Sequence, residues 1–147
     1  MLSIHTDEYF MRQALLQAER AFEEEEVPIG AVVVCNYRII GKGYNQTERL
    51  QDPTAHAEML ALTAACDHMG SKYLPDCTLF VTVEPCAMCA GALRWAQVGR
   101  VVYGTTEPKT GFQRYAPSLL HPRSELVGGV LAEDCAALMQ AFFQRRR

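Results

Sequence analysis

Apolar positions recur at intervals of four near the start of the chain, with Phe10, Ala14, Ala18 and Phe22 on one stripe and Asp7 and Glu8 ahead of them. That spacing predicts an amphipathic helix from Thr6 to about Phe22, with its acids at the positive end of the helix dipole. Residues 23–26 are a run of acids, the pattern of a solvated face. The period then changes. Residues 29–35 and 38–44 are apolar or β-branched runs separated by Asn36-Tyr37, which predicts a hairpin. Thr54 precedes a run of strong helix formers and reads as an N-cap. A strand near residues 78–83 follows, then a helix over residues 86–97, with Pro85 suited to its first position. A strand near residues 100–103 and a helix from about Ala132 complete the pattern. Strands alternating with helices imply an α/β layered fold.

There is no internal repeat, low-complexity tract or linker, and 147 residues at 49% hydrophobic suit one domain over residues 1–147 with a single core. No apolar segment is long enough to span a membrane, so no membrane partner is expected. Met1-Leu2-Ser3-Ile4-His5 lacks the basic stretch and apolar core of a secretion signal. A cytoplasmic location with reduced thiols is the expectation, and the six cysteines then read as metal ligands plus small core fillers.

Net charge is −3, unevenly spread: residues 1–93 carry 6 Lys/Arg against 13 Asp/Glu, a net of −7, and residues 94–147 carry 8 against 4, a net of +4. The basic part includes Phe112-Gln113-Arg114-Tyr115 and Arg145-Arg146-Arg147, residue types that hold phosphates and stack bases. On charge alone, a solvated tail and an ordinary surface loop are the better explanation.

The chemistry concentrates in two segments, His56-Ala57-Glu58 and Pro85-Cys86-Ala87-Met88-Cys89. Zinc takes about four tetrahedral ligands, so one imidazole and two thiolates leave a position for water, the arrangement of a hydrolytic site. Cys86 and Cys89 at i, i+3 share a helix face. If both segments open helices aimed at one point, their N-terminal partial charges favour thiolate over thiol. Glu58 is then placed to shuttle protons without being a ligand. Two alternatives stay open: a redox Cys-x-x-Cys pair, which would have no use for His-x-Glu, and a structural zinc with a fourth ligand from Cys35, Cys66, Cys77 or Cys135. A metalloprotease is disfavoured because Leu60 stands where His-Glu-x-x-His needs its second histidine.

His-Ala-Glu followed by Pro-Cys-x-x-Cys resembles the signature of zinc-dependent nucleobase deaminases. The likeness extends to Glu26-Val27-Pro28-Ile29-Gly30-Ala31, Gly43-Tyr44-Asn45, Thr82-Val83-Glu84 before the cysteines, Lys109-Thr110-Gly111, and residues 129–138. Taken together these segments resemble the wobble-position tRNA adenosine deaminases. The resemblance implies a three-layer α/β/α sandwich around a five-stranded mixed sheet, one zinc per chain on His56, Cys86 and Cys89, and conversion of adenosine to inosine in a tRNA anticodon stem-loop. It implies that zinc generates hydroxide, while Glu58 takes its proton, delivers one to the ring nitrogen next to C6, and protonates the leaving ammonia. It further implies that Asn45 bonds the purine or its ribose, that Val27, Pro28 and Ala57 contact substrate, and that Phe143 packs against nucleotides beside the target. Asn45 as a turn residue and either of Phe142 and Phe143 as a core residue are the plainer roles. A homodimer is also implied, with an apolar face around Ala90, Leu93 and Trp95 as its surface; Trp95 in a monomer core is the alternative.

Glu107, where relatives often carry aspartate before Lys-Thr-Gly, and His121-Pro122-Arg123, where many carry Asn-His, depart from the pattern in a region that contacts RNA in that family. Two other functions stand beside the first: deamination of a free base such as guanine or cytosine, and a non-catalytic zinc module. Free-pyrimidine deaminases frequently show Pro-Cys-Gly-x-Cys, whereas Ala87 follows Cys86 here. A binding module has no need of Glu58 beside an open metal position.

Overall fold

A strand reading Gly-Ala-Val-Val-Val-Cys has no polar face and must be covered on both sides, which places β1 (Gly30–Cys35) in the middle of layers. The computed structural model, which describes residues 6–146, arranges the chain as α1 (Asp7–Glu23), β1, β2 (Arg38–Tyr44), α2 (Thr47–Leu50), α3 (Ala57–Met69), β3 (Cys77–Val83), α4 (Ala87–Trp95), β4 (Arg100–Thr105), α5 (Phe112–Tyr115), β5 (Glu125–Val127) and α6 (Ala132–Arg145). The sheet order is β2-β1-β3-β4-β5. β2, β1 and β3 run antiparallel to their neighbours, whereas β3, β4 and β5 are parallel.

Alternation along the strands sorts the core into two halves. Ala31, Val33, Leu79, Val81 and Val101 meet Ala61, Leu62 and Ala65 of α3 and Leu93 of α4. Val32, Val34, Phe80 and Val102 meet Phe10, Met11, Ala14 and Leu15 of α1 and Cys135 of α6. The result is the α/β/α sandwich around a five-stranded mixed sheet that the family resemblance implied. The α1 stripe behaves as its period predicts, with Phe10, Ala14 and Ala18 buried and Thr6 accepting from the Tyr9 amide as N-cap. Asn36 and Tyr37 join β1 to β2 with φ of 53° and 63°, the paired positive values of a type I′ hairpin.

One close approach sets where α3 lies. A Cβ at Gly43 would fall 2.3 Å from the Ala57 carbonyl oxygen and 2.7 Å from the Ala61 nitrogen, so the first turn of α3 seats directly on β2.

Four expectations are corrected. α3 begins at Ala57 with His56 as its N-cap; Thr54 instead donates its amide and hydroxyl to Asp52 Oδ1, both at 2.8 Å, closing a turn. α4 begins at Ala87 with Cys86 as N-cap and ends at Trp95, so Pro85 lies before the cap. The acid run is solvated only as far as Glu25: Glu26 is 1% exposed and its carboxylate accepts from the amides of Glu48 (3.1 Å) and Arg49 (2.7 Å), satisfying the start of α2. Ala90 and Leu93 lie in the core, whereas Trp95 is 80% exposed on the outer side of that helix. The short α2, α5 and β5 were absent from the hydrophobic pattern because three or four residues cannot display a period. Met1 to His5 and Arg147 lie outside the described residues. No helix among the described residues is long and apolar enough to cross a membrane.

Candidate metal centre

His56 and Cys86 occupy equivalent places: each is an N-cap with extended backbone, φ −77° and ψ 155° for His56, φ −74° and ψ 174° for Cys86. Neither side chain makes a capping hydrogen bond, so both are free to point at each other instead. Cys89, one turn into α4, completes the group. His56 Nδ1 lies 3.6 Å from Cys86 Sγ and 3.5 Å from Cys89 Sγ, and the three ligand atoms fall within 4.8 Å of one another. A tetrahedral zinc with its usual bond lengths holds nitrogen and sulfur ligands about 3.6 Å apart. The donor set therefore fits zinc in chemistry and in spacing, through the Nδ1 nitrogen of the imidazole. Among the described residues no other group of His, Cys, Asp and Glu is assembled this way, and Cys35, Cys66, Cys77 and Cys135 are not part of it. That removes the fourth cysteine a structural site would need.

The donors share protons. Cys86 is held down at about 4, first by a hydrogen bond from Cys89 and also by one from His56, while Cys89 is pushed far up by the same bond and by burial. His56 is raised, chiefly by its bond to Cys86. Metal binding replaces such protons, because each ligand coordinates in its deprotonated form.

His56 and Cys86 line a cavity of about 250 Å³ together with Glu58. Glu58 is 4% exposed, and burial pushes its carboxyl up to about 7. Val27, Ile29, Asn45, Thr47 and Ala57 line the same cavity from around α3, and Val83, Glu84, Glu107 and Thr110 from the ends of β3 and β4. Pro28 is buried between Val27 and Ile29 and is not part of the lining. Asn45 Nδ2 donates to the Val27 carbonyl and its Oδ1 accepts from the Thr47 amide, both at 3.3 Å. A carboxamide offers two N–H donors and two acceptor lone pairs, so one of each stays available.

Ile29, Thr47, Val83, Glu84 and Thr110 are lining residues that sequence alone does not mark. Their signal lay in the quoted motifs, which carry Ile29, Val83, Glu84 and Thr110, although nothing local distinguishes a lining position from its neighbour.

Phe142 and Phe143 divide. Phe142 is 5% exposed in the core, whereas Phe143 lines a groove with Met139, Thr105, Val83 and Glu107, the last two shared with the cavity. The basic aromatic motif divides too: Phe112 is fully buried and unavailable to stack a base, while Arg114 lies over the exposed Tyr115 ring at 5.6 Å. In the tail, Arg145 stacks on Phe22 at 5.1 Å and Arg146 on Phe142 at 4.5 Å. His121 Nδ1 accepts the Arg123 amide at 3.1 Å within its own turn.

Comparison with known proteins places this geometry. A family model described as the cytidine and deoxycytidylate deaminase zinc-binding region matches residues 4–105. A tRNA-specific adenosine deaminase of Bacillus subtilis (strain 168) is 43% identical, covering 96% of this chain and 91% of its own. A solved structure from studies of A-to-I editing by tRNA:A34 deaminases is 38% identical with a TM-score of 0.83, covering 88% of this chain and 98% of that one. A guanine deaminase from Bacillus subtilis is 37% identical with a TM-score of 0.67, covering 70% of this chain and 66% of that one.

Proposed function

The chain belongs to the cytidine and deoxycytidylate deaminase zinc-binding family, and from that premise we propose that it hydrolyses adenosine to inosine at the wobble position of a tRNA anticodon. The observation that carries the reading is a buried carboxyl, Glu58, beside three zinc donors in a cavity, within a chain similar over nearly its whole length to tRNA-specific adenosine deaminases. His56, Cys86 and Cys89 would hold the zinc, which would supply Lewis-acid activation of water near neutral pH. The rest falls to the chain's own groups. Glu58, with its affinity for protons raised by burial, takes a proton from the attacking water and passes it to the ring nitrogen next to C6, then takes the remaining proton from the hydroxyl added at C6 and gives it to the amino group, which leaves as ammonia. Water adds, ammonia leaves, and the carboxylate ends as it began.

Asn45 offers its remaining N–H and lone pair to the purine or ribose, and Val27, Ile29, Ala57 and Val83 supply apolar walls. Pro28 supports that wall from behind. Phe143, 48% exposed beside the cavity, stacks a neighbouring nucleotide. An extruded loop base is cheap to present, and the +4 balance over residues 94–147 supplies phosphate contacts. We assign a cytoplasmic location, where tRNA and reduced thiols coincide. We also assign a homodimer formed on the outer stripe of α4, where Met88, Gly91, Ala92 and Trp95 repeat at helical spacing with Met88 and Trp95 exposed.

A free purine base is the second reading, favoured by the likeness to a guanine deaminase; that likeness covers less of both chains. The deciding experiment presents zinc-loaded protein with an anticodon stem-loop and, separately, with free guanine, cytosine and adenosine. Inosine in the stem-loop with little turnover of the free compounds is expected. Faster turnover of free guanine or cytosine overturns the tRNA reading.

A further inference from the structure

We propose that Glu84 is a positioning residue that ties the zinc-ligand segment to the cavity wall facing the substrate. Glu84 leaves β3 two residues before Cys86, and its amide donates to the Thr105 carbonyl at 2.9 Å. It is 8% exposed, yet it forms no ion pair among the described residues. Its carboxylate is satisfied by neutral N–H groups from one segment: Oε1 accepts from the Glu107 amide at 3.1 Å, and Oε2 from the Gln113 amide at 3.2 Å and Gln113 Nε2 at 3.0 Å. Gln113 Nε2 also donates to the Tyr103 hydroxyl at 3.1 Å, which fixes the amide's orientation.

The clamp closes tightly. A Cβ at Gly111 would fall 2.3 Å from Glu84 Oε1, so only glycine lets the segment lie this close. Gly111 forms an antiparallel bridge with Cys86, and the Phe112 amide donates to the Pro85 carbonyl at 2.9 Å. One side of the segment is thereby paired with a zinc ligand, while its Glu107 and Thr110 line the cavity. A buried carboxylate without a cation is costly unless its lone pairs are used, and bonds to a charged acceptor are the stronger kind. That expense is unnecessary for packing; it holds a loop to a ligand.

Rested on the tRNA reading, the consequence is kinetic. Glu84→Gln keeps size but replaces one acceptor oxygen with an NH₂ that faces N–H donors. In zinc-loaded protein we expect KM for the stem-loop to rise about tenfold, kcat to stay within about twofold, and zinc content to be unchanged. Adding Gln113→Glu to Glu84→Gln restores the side-chain bond with donor and acceptor exchanged and returns KM to within about threefold of the original. Hydrogen exchange tests the clamp without substrate: the Glu107 and Gln113 amides should exchange about tenfold faster in Glu84→Gln, with Val32 and Val102 unchanged. Unchanged exchange at Glu107 and Gln113 overturns the proposal, as does loss of kcat or zinc at constant KM. If Glu84→Gln does not fold, Gln113→Ala, lacking only the side-chain donor, should raise KM about threefold, and no rise overturns the proposal equally. Failure of the unsubstituted protein to act on the stem-loop would refute the substrate assignment alone, and the exchange rates then decide the role of Glu84.

Discussion

Gly43→Ala puts the seating of α3 on β2 under direct strain. An ordinary contact to an added Cβ begins at 3.4 Å, and here the Ala57 oxygen lies at 2.3 Å, so the first turn of α3 must retreat by about 1 Å. The obstacle is backbone, which no rotamer change relieves. Overpacking of this kind costs about 3 kcal/mol, the upper end of its usual range. Up to about 1 kcal/mol is offset by the reduced freedom of alanine in the unfolded chain. The net loss of about 2 kcal/mol lowers Tm by roughly 4–8 °C for a domain of this size. The activity effect should be larger in proportion, because Ala57 stands between His56 and Glu58. A displacement of 1 Å in a reacting group costs on the order of 10²-fold in rate. Calorimetry of zinc-loaded protein and kcat/KM on the anticodon stem-loop measure the two effects. A Tm within about 1 °C and a kcat/KM within twofold of the original would show that α3 does not depend on this contact.

Cys89→Ser should lose its zinc, and a chelator that lowers the Tm of the original should leave the variant unmoved; full zinc by elemental analysis would sink the ligand assignment. Glu58→Ala should keep zinc and fold while losing about 10²–10⁴-fold in turnover, and loss of zinc instead would make Glu58 a ligand. Removing residues 145–147 should weaken stem-loop binding and flatten its salt dependence by a slope of about 2, with zinc unchanged; undiminished affinity would leave Arg145 and Arg146 as packing partners of Phe22 and Phe142 only. Trp95→Glu should convert the assembly to monomers by light scattering, and a monomeric mass for the unsubstituted protein would refute the homodimer.

What residues 56–58 and 85–89 determined by themselves was chemical type: an imidazole, two thiols one turn apart and a carboxylate, a set few chemistries use together. Composition and spacing along a few turns also determined α1, the two-residue hairpin and the apolar strands, because those patterns arise within one element. Convergence was another matter. His56 and Cys86 stand thirty positions apart in the chain, and their meeting depends on β1 lying beside β3 and on α3 seating against Gly43. Sequence spacing also left undecided which imidazole nitrogen faces the thiols; the His56 side chain, freed from capping, turns Nδ1 toward them. Burial made the remaining distinctions, drawing Phe112 and Phe142 inward while leaving Tyr115 and Phe143 outside, although each pair is equally aromatic in sequence. In the sequence Glu26 belongs to an acid run and Glu84 to a motif, since the backbone amides that each carboxylate binds lie far along the chain, where no local pattern records them.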